Sequence, residues 1–340
     1  MSKKDRKPEF KNILKVLRRE APDRPTLFEF FLNFPLYEKL AGARFPADPR
    51  AKDINPIVVK AFEAAGYDYA TVLGSDFKFN TYPKQRLSTQ SQNENAPVPD
   101  REAFDAYDWP DHADFDYGIL DDIVVPDGMK LMLYGPGGVL ENAVELAGYE
   151  NLCMQIYEDP QFVHDLFEKV GADLLSYYRI SLSQKGKEKI GIIMSNDDWG
   201  FKTQTLLSPK HLREFVFPWH KKIVELGHDA GLPVVLHSCG CFEDIMDDTI
   251  DDMKYDGKHS YQDNIQSVED AYREWGGRIA ILGGIDLDFV CRKTPDEIRA
   301  RSLAMLELGR KGYALGTGNS VPEYVPDANY FAMTSAALEG

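Results

Sequence analysis

The run Val234-Val235-Leu236-His237-Ser238-Cys239-Gly240-Cys241 places an imidazole and a thiol two residues apart at the end of an apolar stretch. Successive side chains of an extended strand alternate in direction, so His237 and Cys239 point to the same side. Imidazole together with thiolate is a donor pair that zinc favours. Cys241 is a possible third donor, although the glycine before it allows a turn that would carry it away. The other cysteines, Cys153 and Cys291, stand alone and read as packing residues. Four cysteines in 340 residues do not form a disulfide framework, and a clustered pair reads better as ligands or reactive thiols in a reducing compartment.

A site of this kind needs a scaffold. Eight apolar runs alternate with helix-periodic segments, at 26–31, 69–74, 130–135, 190–195, 233–239, 257–261, 278–285 and 312–317. This is the pattern of a single α/β domain over 1–340, a (β/α)8 TIM barrel with a long insertion after strand 2. Helix starts are marked by Ser208-Pro209, on a helix running towards Gly231 that Pro218 should kink, and by Thr294-Pro295, before the helical run 298–308. In such a barrel the active site lies where the strands end. Polar residues cluster there: Glu29, Ser75 and Asp76, Asn196 with Asp197 and Asp198, His237 and Cys239, His259, Asp286, and Asn319. Turns favour polar residues at any one position, but their recurrence points to one converging pocket. The segment 77–128 is too long for an ordinary βα loop and reads as an insertion or lid, with a tract at 88–95 rich in Ser, Gln and Asn.

Composition narrows the partners. The net charge of −16 opposes nucleic acid and anionic membrane surfaces, leaving a small molecule or a protein partner. The basic start MSKKDRKPEF lacks the apolar core of a secretory signal, and no window reaches the roughly 18 apolar residues of a membrane span, so a cytoplasmic protein is expected.

Gly135-Pro136, Gly148-Tyr149-Glu150-Asn151-Leu152, Tyr157-Glu158-Asp159-Pro160, Asp197-Asp198-Trp199-Gly200, Leu207-Ser208-Pro209 and Leu236-His237-Ser238-Cys239-Gly240 together resemble the uroporphyrinogen decarboxylase superfamily over most of the chain. The resemblance implies a (β/α)8 barrel and one of two activities, the haem-pathway decarboxylase or a zinc-dependent methyltransferase serving corrinoid proteins or thiol acceptors. Asp76 matches the decarboxylase aspartate. The arginine-rich motif that holds the porphyrinogen carboxylates is replaced by Phe28-Glu29-Phe30-Phe31-Leu32-Asn33-Phe34-Pro35, an acid and four phenylalanines where a polyanion needs cations, and Ala143 falls near the expected tyrosine.

His237 and Cys239 match the first part of the methyltransferase zinc motif, while Asn319 or its neighbour falls where its second cysteine is expected. Asp198, Asp286, Glu29 or Asn319 would then complete the metal site with oxygen. The resulting expectation is a zinc-dependent methyltransferase with His237, Cys239 and Asn319 at the metal. Asp76, Asp198, His259 and Asp286 are the expected catalytic groups, and Glu29 and Phe31 line the substrate pocket. The alternatives are a decarboxylase and a non-catalytic small-ligand binder. No corrinoid-binding motif of the Asp-x-His-x-x-Gly type occurs, so a corrinoid would reach the site only on a separate partner protein.

Overall fold

The computed structural model describes residues 6–81 and 96–339. Among them, seven strands form one parallel sheet in chain order: β1 (Tyr69–Leu73), β2 (Lys130–Tyr134), β3 (Ile190–Asn196), β4 (Val234–His237), β5 (Gly257–His259), β6 (Ala280–Leu282) and β7 (Tyr313–Ala314). Each parallel step requires a crossover, and the intervening helices supply it. The longest, Pro160–Ser181, starts with Pro160 in its first turn under a cap from Asp159, whose carboxylate accepts the Phe162 N–H at 3.0 Å. Both expected helix starts are present. Thr294 caps Pro295–Leu308 in a capping box with Glu297, and Ser208 accepts the His211 N–H at 3.3 Å. The kink expected at Pro218 takes the form of a wide π turn, Leu212–Val216, just before the helix Phe217–Asp229, since proline offers no N–H to continue the ladder.

The expected first strand is a correction. Residues 26–31 make only one bridge, Leu27 to Leu315, flanked by Phe28 N–H to Leu315 O and Leu315 N–H to Thr26 O, each 2.8 Å. Towards β1, a side chain stands in for the ladder. The Tyr69 hydroxyl accepts the Glu29 N–H at 2.8 Å and donates to the Glu29 carbonyl at 2.6 Å. The segment therefore spans from β7 to β1 without being a regular strand. Strands β5 and β6 are also shorter than their apolar runs, because Ser260, Gly283 and Gly284 turn the backbone to positive φ (154°, 65° and 107°).

Register separates the two faces of the sheet. Asn196, His237 and His259 lie side by side across β3, β4 and β5 and share one face. Ser195, Leu236 and Lys258 share the other, where Ser195 meets His220 of the helix Phe217–Asp229 at 3.0 Å.

The described part of 77–128 packs on the outer helix Pro160–Ser181. Arg101 pairs with Asp165 at 2.8 Å, Phe104 meets Phe162 edge-on, and the Lys169 ammonium lies 5.3 Å from the Trp109 ring. The tract 88–95 lies outside the described residues. No helix among the described residues is long and apolar enough to cross a membrane.

Candidate metal centre

Three donors converge where β3 and β4 end. Cys239 Sγ, a ring nitrogen of His237 and a carboxylate oxygen of Asp198 lie within 4.8 Å of one another. Asp198 is one of several oxygen donors the sequence offers, and the loop after β3 explains why it is the one that reaches the cluster. Asp197 turns to the outer side, accepting the N–H groups of Leu140 and Glu141 at 2.9 Å and contacting His220 Nε2 at 2.9 Å. Asp198, one residue on, turns inwards and accepts the Cys239 N–H at 2.8 Å. The turn after Cys239 is equally constrained. Gly240 has φ +90°, and a Cβ there would lie 2.2 Å from the Gly200 backbone. That turn sends Cys241 away from the cluster, into a separate cavity with Lys258, Glu274 and Trp275, so Cys241 does not supply the third ligand.

His237 is buried in a hydrogen-bonded stack. Its Nδ1 lies 2.8 Å from His259 Nδ1, and its Nε2 lies 3.9 Å from Cys239 Sγ. His259 Nε2 in turn lies 3.1 Å from the Thr317 carbonyl oxygen. Burial, with the nearby Lys258 charge, lowers His237 to about 3, and burial pushes His259 well down, so both rings are neutral. A neutral imidazole is the form that binds a metal. Burial and the Asp198 charge raise the Cys239 thiol to about 12. A dication between the three donors would reverse that, because a coordinating thiol loses its proton outright. One donor already points at the sulfur, Asn319 Nδ2 at 3.2 Å, an arrangement suited to a thiolate, while the Ser260 hydroxyl gives its proton to the Gly318 carbonyl at 2.7 Å. Sulfur, imidazole and carboxylate form a set zinc accepts, three protein ligands leaving a fourth position open.

The remaining expected residues separate. Asn319 faces the sulfur through its amide nitrogen, and its Oδ1 accepts the Ser320 N–H at 2.7 Å, so it stands as a hydrogen-bond donor to Cys239 in place of the expected ligand. Glu29 is fully buried. Its two oxygens meet Thr317 N–H and Thr317 Oγ, each at 2.7 Å, and burial raises its carboxyl to about 8. Phe31 packs on Phe30 and Tyr134, forming an aromatic wall whose Phe30 ring lies 4.9 Å from the His237 ring.

Two of the expected catalytic acids serve as helix caps. Asp76 accepts the Ala51 N–H at 2.8 Å at the start of the helix Ala51–Ala65. Asp286 caps Leu287–Arg292, with one oxygen on the Phe289 N–H at 2.9 Å and the other on the Asp263 N–H at 3.0 Å. Asp286 and Asn319 nevertheless border a cavity of about 800 Å³ that Tyr261 and Tyr324 also line.

Three residues absent from the expected site belong to it. Thr317 holds Glu29 and His259. Lys258 is buried behind Cys239, its ammonium donating to the carbonyls of Ser238 (3.2 Å) and Ser260 (2.8 Å) between the rings of Phe242 and Tyr261. Burial lowers it to about 7. Glu141 accepts the Gly138 N–H at 2.9 Å near Asn196, and burial together with the Asp197 and Asp198 charges raises it to about 8. A lysine inside an apolar strand and the Gly138-x-x-Glu141 spacing were the available signals.

Comparison with known proteins agrees with this architecture. No curated protein sequence matches the chain. A methyltransferase from Methanosarcina mazei shares the fold with a TM-score of 0.68, covering 98% of this chain and 99% of that one at 17% identity. A Listeria monocytogenes protein assigned as a vitamin-B12 independent methionine synthase gives a TM-score of 0.45 at 13% identity, covering 93% and 97% of the two chains, too low to argue from. The family model for uroporphyrinogen decarboxylase (URO-D) matches residues 133–339, a span that includes Asp198, His237, Cys239, His259 and Asn319. On that match over more than half its length, the chain belongs to the uroporphyrinogen decarboxylase (URO-D) family.

Proposed function

We propose that the chain is a zinc-dependent methyltransferase built on a (β/α)8 barrel whose first strand is reduced to the segment 26–31, with 77–128 as an insertion. The methyl group would pass between a small methylated substrate, or a methylated corrinoid carried by a separate protein, and an acceptor such as a thiol. One observation carries the reading: the convergence of Asp198, His237 and Cys239 at the strand ends, in a donor set matched to zinc. When bound, zinc supplies Lewis acidity, either lowering the pKa of an acceptor thiol or withdrawing charge from the oxygen of a methyl ether.

The chain's own groups do the rest. Asn319 holds the Cys239 sulfur by a hydrogen bond. Phe30, Phe31 and Tyr134 keep water from the His237 side, and the cavity beside Asn319 has room for a small substrate. The methyltransferase likeness from Methanosarcina mazei supports the reading at the level of fold.

The test starts with metal analysis of protein purified without affinity tag or chelator. About one zinc per chain is expected, and His237→Ala with Cys239→Ala should release it. Absence of stoichiometric metal, or its full retention by the double variant, would overturn the assignment. Methylcobalamin and a small thiol then provide the activity assay, with the double variant as the inactive control.

A further inference from the structure

We infer that Thr317 and His259 form a relay that dictates which nitrogen of His237 faces the metal site, and that Glu29 anchors the relay from the opposite end of the chain. A carbonyl oxygen only accepts, so the 3.1 Å contact between His259 Nε2 and Thr317 O requires the His259 proton on Nε2. His259 is fully buried between the His237 ring, the Thr317 carbonyl and the Phe28 ring, contacts that offer a second ring proton no counter-charge, so its Nδ1 carries none. Across the 2.8 Å contact, His237 Nδ1 must therefore be the donor. A buried His237 that carries its one proton on Nδ1 has its lone pair on Nε2, the atom that lies 3.9 Å from Cys239 Sγ. The ligand nitrogen is thus presented ready for a metal. The ring of an unconstrained histidine does the opposite, favouring the proton on Nε2.

Thr317 is held in turn by Glu29, whose oxygens meet both its N–H and its hydroxyl at 2.7 Å. Glu29 is itself clasped at its backbone by the Tyr69 hydroxyl. Four residues from four parts of the chain, Glu29, Thr317, His259 and His237, make one line of contacts ending at the metal site. His259 is accordingly a positioning residue. It acts through His237 by fixing its tautomer, as partners behind metal-bound histidines do.

The consequence for zinc rests on the methyltransferase reading above, but the tautomer does not, because it is read in metal-free protein. The experiment is two-bond proton–nitrogen correlation NMR on histidine-labelled apoprotein, with His237→Gln and His259→Gln assigning the two rings. The expected spectrum shows His237 protonated on Nδ1 and His259 protonated on Nε2. A parent His237 carrying its proton on Nε2 overturns the relay. In His259→Phe, which keeps a ring against Phe28, His237 should move to the Nε2-protonated form and chelator competition should show zinc held about 10-fold more weakly.

His259→Gln, whose amide oxygen accepts from His237 Nδ1, should restore both. An unchanged tautomer in His259→Phe, or equal zinc weakening in the Phe and Gln variants, refutes the role. If neither parent nor variant binds zinc while the tautomers follow the expected pattern, the relay stands and the metal reading fails.

Discussion

Replacing Glu29 by Gln should stabilise the protein at neutral pH, and the gain should grow with pH. Thr317 Oγ lies 2.7 Å from a Glu29 oxygen and also contacts the Asn319 carbonyl oxygen, and a single hydroxyl proton cannot serve both acceptors. The conflict disappears when Glu29 is protonated, donates to Thr317 Oγ, and lets Thr317 donate to Asn319. Glutamine reproduces that pattern, with its Nε2 as donor and its oxygen accepting the Thr317 N–H.

The sign follows from burial. Glu29 in the folded protein is raised from 4.5 to about 8, so folding is unhindered below pH 4.5, where both states are protonated. As pH rises the unfolded chain ionises first and draws the equilibrium towards itself, until the folded carboxyl also ionises near pH 8. At about 1.4 kcal/mol per unit, the cost at pH 7 is on the order of 3 kcal/mol, and above pH 8 it levels off near about 5 kcal/mol. Urea unfolding of parent and Glu29→Gln, measured side by side from pH 5 to 8, cancels the other titrating groups. The difference should widen by about 1.4 kcal/mol per pH unit over most of that range. A constant difference would mean that Glu29 ionises at its ordinary value, and the proton assignment through Thr317 would be wrong.

Three further outcomes are expected. Asn319→Cys should tighten zinc in chelator competition, because the side chain already faces the Cys239 sulfur at 3.2 Å and a thiolate there adds a fourth protein donor where the amide supplies none; unchanged affinity in a folded variant would show that this position does not reach the metal. Asp286→Ala should lose about 1–2 kcal/mol of stability with its helix cap and leave zinc stoichiometry unaltered, whereas metal loss would return Asp286 to the site. Decarboxylation of uroporphyrinogen should be negligible, since a buried Glu29 and the Phe30–Phe31 wall stand where a polycarboxylate needs cations; stepwise formation of coproporphyrinogen by the purified protein would overturn the methyltransferase reading.

What the sequence could show depended on how local the physics was. Strand periodicity placed His237 and Cys239 on one side, and the structure keeps them together. The cap residues Ser208 and Thr294 were legible for the same reason, each bond closing within three residues. Acids at strand ends were ambiguous because the same position precedes a helix: Asp286 and Asp76 went to amide groups of helix starts, and Asp198 went to the Cys239 amide beside the thiol. Between Asp197 and Asp198, one residue separates an outward contact to His220 from an inward one to Cys239, a difference composition does not encode.

The first strand failed for a related reason. Its apolar pattern was genuine, but the Tyr69 phenol occupies the place of a backbone partner. Least legible of all was the link from Glu29 to Thr317, whose partners lie 288 positions apart and meet only where the segment 26–31 reaches β7. That non-local geometry also bears on the asparagine at 319, which by sequence alone looked like a lost ligand. Asp198 approaches the same sulfur from the end of β3 and brings a negative charge, so that with the Cys239 thiolate two charges still face a dication. In the proposed zinc site the ligand count and the charge balance are therefore preserved by a residue from a different strand, and Asn319 is left free to orient the sulfur.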